Sequence, residues 1–191
     1  MAGLDRRIWV FGAAASLTAC YQRGLDPEAR DRTVRAAATG GEVPIFNGTA
    51  VASVAAIELP DEGWRKALSA AEFDVLRRGG TEMAFTHPLD HEKRQGIFTC
   101  AGCGTLLFRS EEKFDSGSGW PSFTRPVSAK NVTLAPDGAF GITRTEVRCR
   151  RCQGHLGHVF EDGPLPLGTR YCINGTALRF HSGSAAKLDG E

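Results

Sequence analysis

Two Cys-x-x-Cys pairs, Cys100-Ala101-Gly102-Cys103 and Cys149-Arg150-Arg151-Cys152, stand 45 residues apart in the chain. Four thiolates so spaced can close a tetrahedron around zinc, the usual donor set of a structural site. Such a centre carries an excess charge of about −2, which Arg150 and Arg151 are placed to offset. The same spacing is open to two structural disulfides, or to a redox dithiol, although a thioredoxin-like dithiol belongs beside a strand–helix–strand pattern. Of six cysteines, Cys20 and Cys172 stand outside these pairs. Cys172 lies in Arg170-Tyr171-Cys172-Ile173-Asn174. In an extended strand, residues two apart share a face, so Arg170 and Asn174 project beside the thiol. A cation and a hydrogen-bond donor there favour the nucleophilic thiolate. His155 and His158 can supply protons near neutral pH. A regular strand sends residues three apart to opposite faces, so a shared site needs a bend, for which Gly157 is available.

The Ser-Gly-Trp-Pro-Ser-Phe stretch at 118–123, Gly-His-Leu-Gly-His-Val-Phe at 154–160, Arg-Tyr-Cys-Ile-Asn-Gly at 170–175 and the four paired cysteines together resemble the type B methionine sulfoxide reductases. These enzymes are specific for the R epimer of methionine sulfoxide. The resemblance covers about residues 62 to 182. It implies that Cys172 is the nucleophile, that the Trp120 ring packs against the substrate S-methyl group, and that His155, His158, Asp162, Arg170 and Asn174 line the pocket. The chemistry is consistent with those roles. Thiolate attack on the sulfoxide sulfur leaves charge on its oxygen, which calls for a proton donor. We expect His158 in that role, with His155 assisting, and the oxygen to remain on Cys172 as a sulfenic acid.

Many members of that family carry a second cysteine two residues before the tryptophan, which attacks the sulfenic acid. Here the position is Ser118, and serine cannot do that chemistry. An external thiol, from a thioredoxin-like protein or a small molecule, is expected to regenerate Cys172. The alternative is a free Cys20 that swings in on its tether.

The elements that must position these groups are short. Ser69 and Glu72 form a capping box before Phe73 and Leu76, and Gly79-Gly80 ends that helix. The apolar pieces beyond it read as strands: 96–99, 105–108, 132–134, 140–147, 156–160, 170–173 and 178–180. Pro136-Asp137-Gly138 supplies turn residues for a hairpin. The expected domain is mainly β (α+β), with two antiparallel β-sheets, short N-terminal helices and a four-cysteine zinc site, over residues 61–184. Residues 185–191 form a tail.

Arg6 and Arg7 precede a mostly apolar run from Ile8 to Ala19, of signal-peptide length and short of the roughly 20 residues that span a bilayer. Leu17-Thr18-Ala19-Cys20 resembles the lipobox of bacterial lipoproteins, which implies lipidation of Cys20 after cleavage; an apolar helix packed on the domain is the other reading. Residues 1–20 are thus expected to be a lipoprotein signal and 21–60 a partly disordered tether, some of which can order against the domain, giving an exported, membrane-anchored bacterial protein, periplasmic or cell-surface. A monomer is also expected. Lys and Arg number 23 against 22 Asp and Glu. That balance gives no global pull toward nucleic acid and disfavours a zinc-ribbon nucleic-acid module.

Overall fold

The computed structural model describes residues 56–138 and 143–183. The signal segment, Cys20, most of the tether, the first part of the 140–147 run and the C-terminal tail lie outside the described residues. Two short helices lead, α1 (Asp61–Ala67) and α2 (Ala70–Arg78). The capping box forms: the Glu72 amide donates to Ser69 Oγ at 3.3 Å, and the Ser69 amide donates to Glu72 Oε2 at 2.8 Å. Gly79 ends α2 with φ at 70°, a left-handed turn suited to glycine. Glu72 is also ion-paired with Arg179, so the start of α2 is tied to a distant strand.

Nine strands follow among the described residues: β1 (Gly96–Cys100), β2 (Leu106–Arg109), β3 (Lys113–Phe114), β4 (Ser122–Phe123), β5 (Val132–Asp137), β6 (Arg144–Cys149), β7 (His155–Phe160), β8 (Arg170–Ile173) and β9 (Leu178–Ser182). They form a three-stranded sheet in the order β2-β1-β9 and a six-stranded sheet in the order β3-β4-β8-β7-β6-β5. The pairs are antiparallel throughout. Phenylalanines join the sheets: Phe123 of β4 stacks on Phe108 of β2 at 4.3 Å and meets Phe98 of β1 edge-on at 4.9 Å. All three rings are fully buried, and α2 adds Phe73, Val75 and Leu76 to the same core. The fold is the mainly β arrangement of two antiparallel sheets expected from the sequence.

Two details differ from that expectation, and a third refines it. Pro136 and Asp137 belong to β5, paired with Thr145 and Arg144, rather than to the turn. A proline is tolerated there because β5 is an edge strand, where one missing donor costs no ladder bond. The two-residue strands β3 and β4 carry too few residues to leave a periodic signal. At the end of the stretch read as a tether, Ile57 is ordered against the domain: it is buried, and its amide donates to the Arg151 carbonyl at 2.8 Å.

Candidate active site and metal centre

The register of the larger sheet aligns Ser122, Cys172, His158 and Glu146 in one row across β4, β8, β7 and β6. Directly opposed residues of antiparallel strands project from the same face. His155 joins that face through an irregularity. It pairs with Arg148, whereas His158 pairs with Glu146, so three residues of β7 span two of β6. This bulge removes the alternation that would have parted the histidines, and their rings lie 5.4 Å apart. Gly157 matters for a second reason: a Cβ there would sit 2.1 Å from the Cys172 carbonyl oxygen. Glycine therefore lets β7 and β8 close up beside the thiol.

Cys172 is half-buried in a cavity of about 120 Å³ lined by Thr81, Trp120, Arg144, Gly157, His158, Phe160 and Asn174. Trp120 Nε1 donates to the Glu82 carbonyl at 3.2 Å. Asn174 donates from Nδ2 to the Leu156 carbonyl at 3.1 Å and accepts from the Glu82 amide at 3.2 Å. His158 Nε2 lies 2.7 Å from Asp137 Oδ2, which Arg144 Nη2 also meets at 3.0 Å. Ser118 Oγ is 3.9 Å from Cys172 Sγ and joins a hydroxyl cluster with Ser116 and Ser122. Burial pushes the Cys172 thiol above its ordinary value, and the Ser118 hydroxyl and Arg170 guanidinium pull it back only in part.

The remaining sequence-selected residues stand around this cavity rather than in its lining. Arg170 makes a two-pronged ion pair with Asp162, both bonds 2.8 Å, and lies over the Phe160 ring at 4.5 Å. His155 faces a separate cavity with Glu146 and Arg148. Its Nδ1 is 2.7 Å from Glu146 Oε1, its buried Nε2 has no hydrogen-bond partner among the described residues, and burial pushes the imidazole below its ordinary value against the pull of Glu146.

Cys100, Cys103, Cys149 and Cys152 are all buried, with their sulfurs within 4.8 Å of one another. Cys100 to Cys152 measures 3.7 Å and Cys103 to Cys149 3.5 Å. Zinc–sulfur bonds of about 2.3 Å in a tetrahedron put sulfurs about 3.8 Å apart, so the cluster suits zinc. The first knuckle turns at Gly104, φ 73°, and the second at Gln153, φ 54°. Gly154, next in the chain, is held small by Leu76, 3.0 Å from the position of a Cβ. Arg151 is buried and donates to the Cys103 carbonyl at 3.1 Å. Arg150 is exposed, and the second nearby guanidinium is that of Arg77 from α2, which donates to the Cys152 carbonyl at 2.7 Å.

The family model described as SelR domain matches residues 68–182. The chain belongs to the SelR, or MsrB, family. The peptide methionine sulfoxide reductase MsrB of Leptospira interrogans is 51% identical over 120 residues, 63% of this chain and 92% of that protein. The MsrB of Bradyrhizobium diazoefficiens is 52% identical over 119 residues, 62% and 86% of the two chains. That of Methanosarcina barkeri is 48% identical over 136 residues, 71% and 96%. A solved structure of the Mis18 'Yippee-like' domain is 17% identical, with a TM-score of 0.39 over 48% of this chain and 99% of that one, too slight a likeness to argue from.

Sequence reasoning missed Glu82, Asp137, Glu146 and Arg77. Asp137 was spent on a turn, and Glu146 sits two residues from Arg148 in a strand that reads as an ordinary charged face. Glu82 lies in a loop and contacts residues 92–94 positions away, a separation that leaves no local pattern.

Proposed function

We propose that this protein reduces methionine-(R)-sulfoxide in proteins to methionine, with Cys172 as nucleophile. The observation that carries the reading is the placement of the half-buried Cys172 thiol in one cavity with Trp120, His158 and Asn174, in a member of the SelR family. The substrate's S-methyl group rests on the Trp120 ring, an apolar wall that discriminates between sulfur substituents by shape. As the Cys172 sulfur bonds to the sulfoxide sulfur, the thiol proton reaches the sulfoxide oxygen through His158, and that oxygen passes to the Cys172 sulfur as its bond to the substrate sulfur and the transient sulfur–sulfur bond break. The sulfoxide is reduced to the thioether and Cys172 is oxidised to the sulfenic acid, which keeps the oxygen. Asp137 orients the His158 ring, while Arg170, fixed by Asp162, favours the thiolate during attack. His155 acts behind His158 on the same face. Oxidised proteins are thus the substrates.

Regeneration uses an outside thiol. That thiol attacks the sulfenic sulfur, water leaves, and a mixed disulfide forms; a second thiol releases Cys172 and carries away the disulfide. Ser118 at 3.9 Å from Cys172 supports this route, since a hydroxyl cannot take the thiol's part. A thioredoxin-like dithiol suits the chemistry. Cys100, Cys103, Cys149 and Cys152 would hold zinc, which supplies a structural cross-link between the end of β1 and the end of β6. The lipobox-like Leu17-Thr18-Ala19-Cys20 supports export and a lipid anchor on Cys20, and no helix among the described residues is long and apolar enough to cross a membrane.

Steady-state reduction of an R-sulfoxide peptide tests the reading, with thioredoxin, dithiothreitol and glutathione compared as reductants. Turnover of the R epimer by at least one dithiol is expected. A Cys20–Cys172 disulfide in the mature protein after one turnover would defeat the external-thiol step, and membrane retention of a Cys20→Ser variant would defeat the anchor.

A further inference from the structure

The geometry points to Glu82 as a positioning residue that sets two walls of the Cys172 cavity, a role that rests on the reductase reading above. Its carboxylate accepts three hydrogen bonds from the turn that follows β8: from Gly175 N at 2.6 Å, Thr176 N at 2.8 Å and Thr176 Oγ1 at 2.5 Å. These donors begin the short helical turn Gly175–Ala177, two residues after Ile173 ends the strand that carries Cys172. With its side chain so fixed, the backbone of Glu82 is fixed as well. Its amide donates to Asn174 Oδ1 at 3.2 Å, and its carbonyl accepts from Trp120 Nε1 at 3.2 Å. One residue therefore holds both the Trp120 indole and the Asn174 amide, and both of these line the cavity. The same loop is pinned again where the Phe85 amide donates to the Gly119 carbonyl at 2.8 Å, next to Trp120.

Hydrogen bonds to a charged acceptor are roughly twice as strong as neutral ones, and two backbone amides at short distance hold the carboxylate in one orientation. An amide in place of the carboxylate would turn one NH2 group toward a backbone N–H, so at least one of the bonds is lost. The loop then shifts, and the indole and the Asn174 amide shift with it. Cys172 itself is attached through β8 ladder bonds and stays where it is. The expected signature is therefore loss of substrate fit without loss of thiol reactivity.

The test compares wild type, Glu82→Gln, Trp120→Phe and the double variant on N-acetyl-methionine-(R)-sulfoxide with dithiothreitol, and measures Cys172 alkylation by iodoacetamide in each. Glu82→Gln should raise KM about tenfold, the scale of one lost charged hydrogen bond, with kcat changed less than about threefold. Alkylation should stay within about twofold of wild type. In the Trp120→Phe background, which has no indole N–H to hold, the effect of Glu82→Gln on KM should shrink. Unchanged KM, additive effects in the double variant, or alkylation falling along with activity would each overturn the assignment. Inactivity of the wild type would instead overturn the reductase reading, so the two failures are distinguishable.

Discussion

Replacing His158 by Gln tests the proton donor, and the paired change Asp137→Asn tests what makes it effective. His158 stands directly opposite Cys172 in the β7–β8 register, and its Nε2 lies 2.7 Å from Asp137 Oδ2. General acid–base groups contribute about 10²- to 10⁴-fold, so His158→Gln should lower the single-turnover rate by that factor. Asp137→Asn keeps the shape but removes the charge. A hydrogen bond to a charged group is worth about 1.5–3 kcal/mol, or about 10- to 150-fold in rate. The Asp137 side chain is 25% exposed and is shared with Arg144, so solvent screening places the effect near the lower end, about 10- to 30-fold. Rapid mixing of reduced enzyme with an R-sulfoxide peptide, followed by methionine quantitation, reads the step before any reductant acts. A His158→Gln variant with wild-type single-turnover rate refutes the donor assignment. An Asp137→Asn loss larger than that of His158→Gln would show that Asp137 does not work through His158.

Ser118→Cys should convert the recycling route: after one turnover, mass spectrometry should find a disulfide between position 118 and Cys172, given the 3.9 Å side-chain approach, and its absence would mean the 116–119 loop cannot close further. Gly157→Ala places a Cβ 2.1 Å from the Cys172 carbonyl, so thermal stability should fall by at least the roughly 1–3 kcal/mol typical of overpacking, with activity falling too. Burial pushes the His155 imidazole below its ordinary value in the fold, against the pull of Glu146. Below about pH 6.5 the unfolded chain takes up this proton more readily than the folded one, so stability present above that pH is lost as pH falls, by at most about 1.4 kcal/mol per pH unit. Denaturant titrations of His155→Gln should therefore show a shallower decline than wild type between pH 6.5 and 5. Purified protein should hold about one zinc per chain by atomic absorption, and a chelator that removes it should lower the melting temperature; no metal, or no effect of removing it, counts against the four-cysteine centre.

Chemistry-bearing residues with fixed local spacing were readable without coordinates. The paired cysteines announced a four-thiolate cluster, Ser69 and Glu72 announced a cap, and the aromatic and β-branched residues beside Cys172 announced its strand. What escaped depends on register and on distant loops. His155 and His158 share a face because of a bulge opposite Val147 and Arg148, and a single strand's sequence does not say where its neighbour slips. Asp137 acts as a partner of His158 only because β5 and β6 bring it across the sheet. Glu82 gathers Trp120, Asn174 and Thr176 from two other parts of the chain, and no periodicity joins them. The charge near the metal cluster shows the same limit: Arg151 could be named from its place in the knuckle, but Arg77 arrives on a helix more than seventy residues earlier.

The most direct test of the central claim is a single turnover without reductant, using an equal mixture of R and S sulfoxide peptides and dimedone to trap sulfenic acid. Wild type should form about one methionine per chain from the R epimer alone, with the dimedone adduct on Cys172, and Cys172→Ser should form none. Methionine formation by Cys172→Ser, or an adduct confined to another cysteine, would contradict the account.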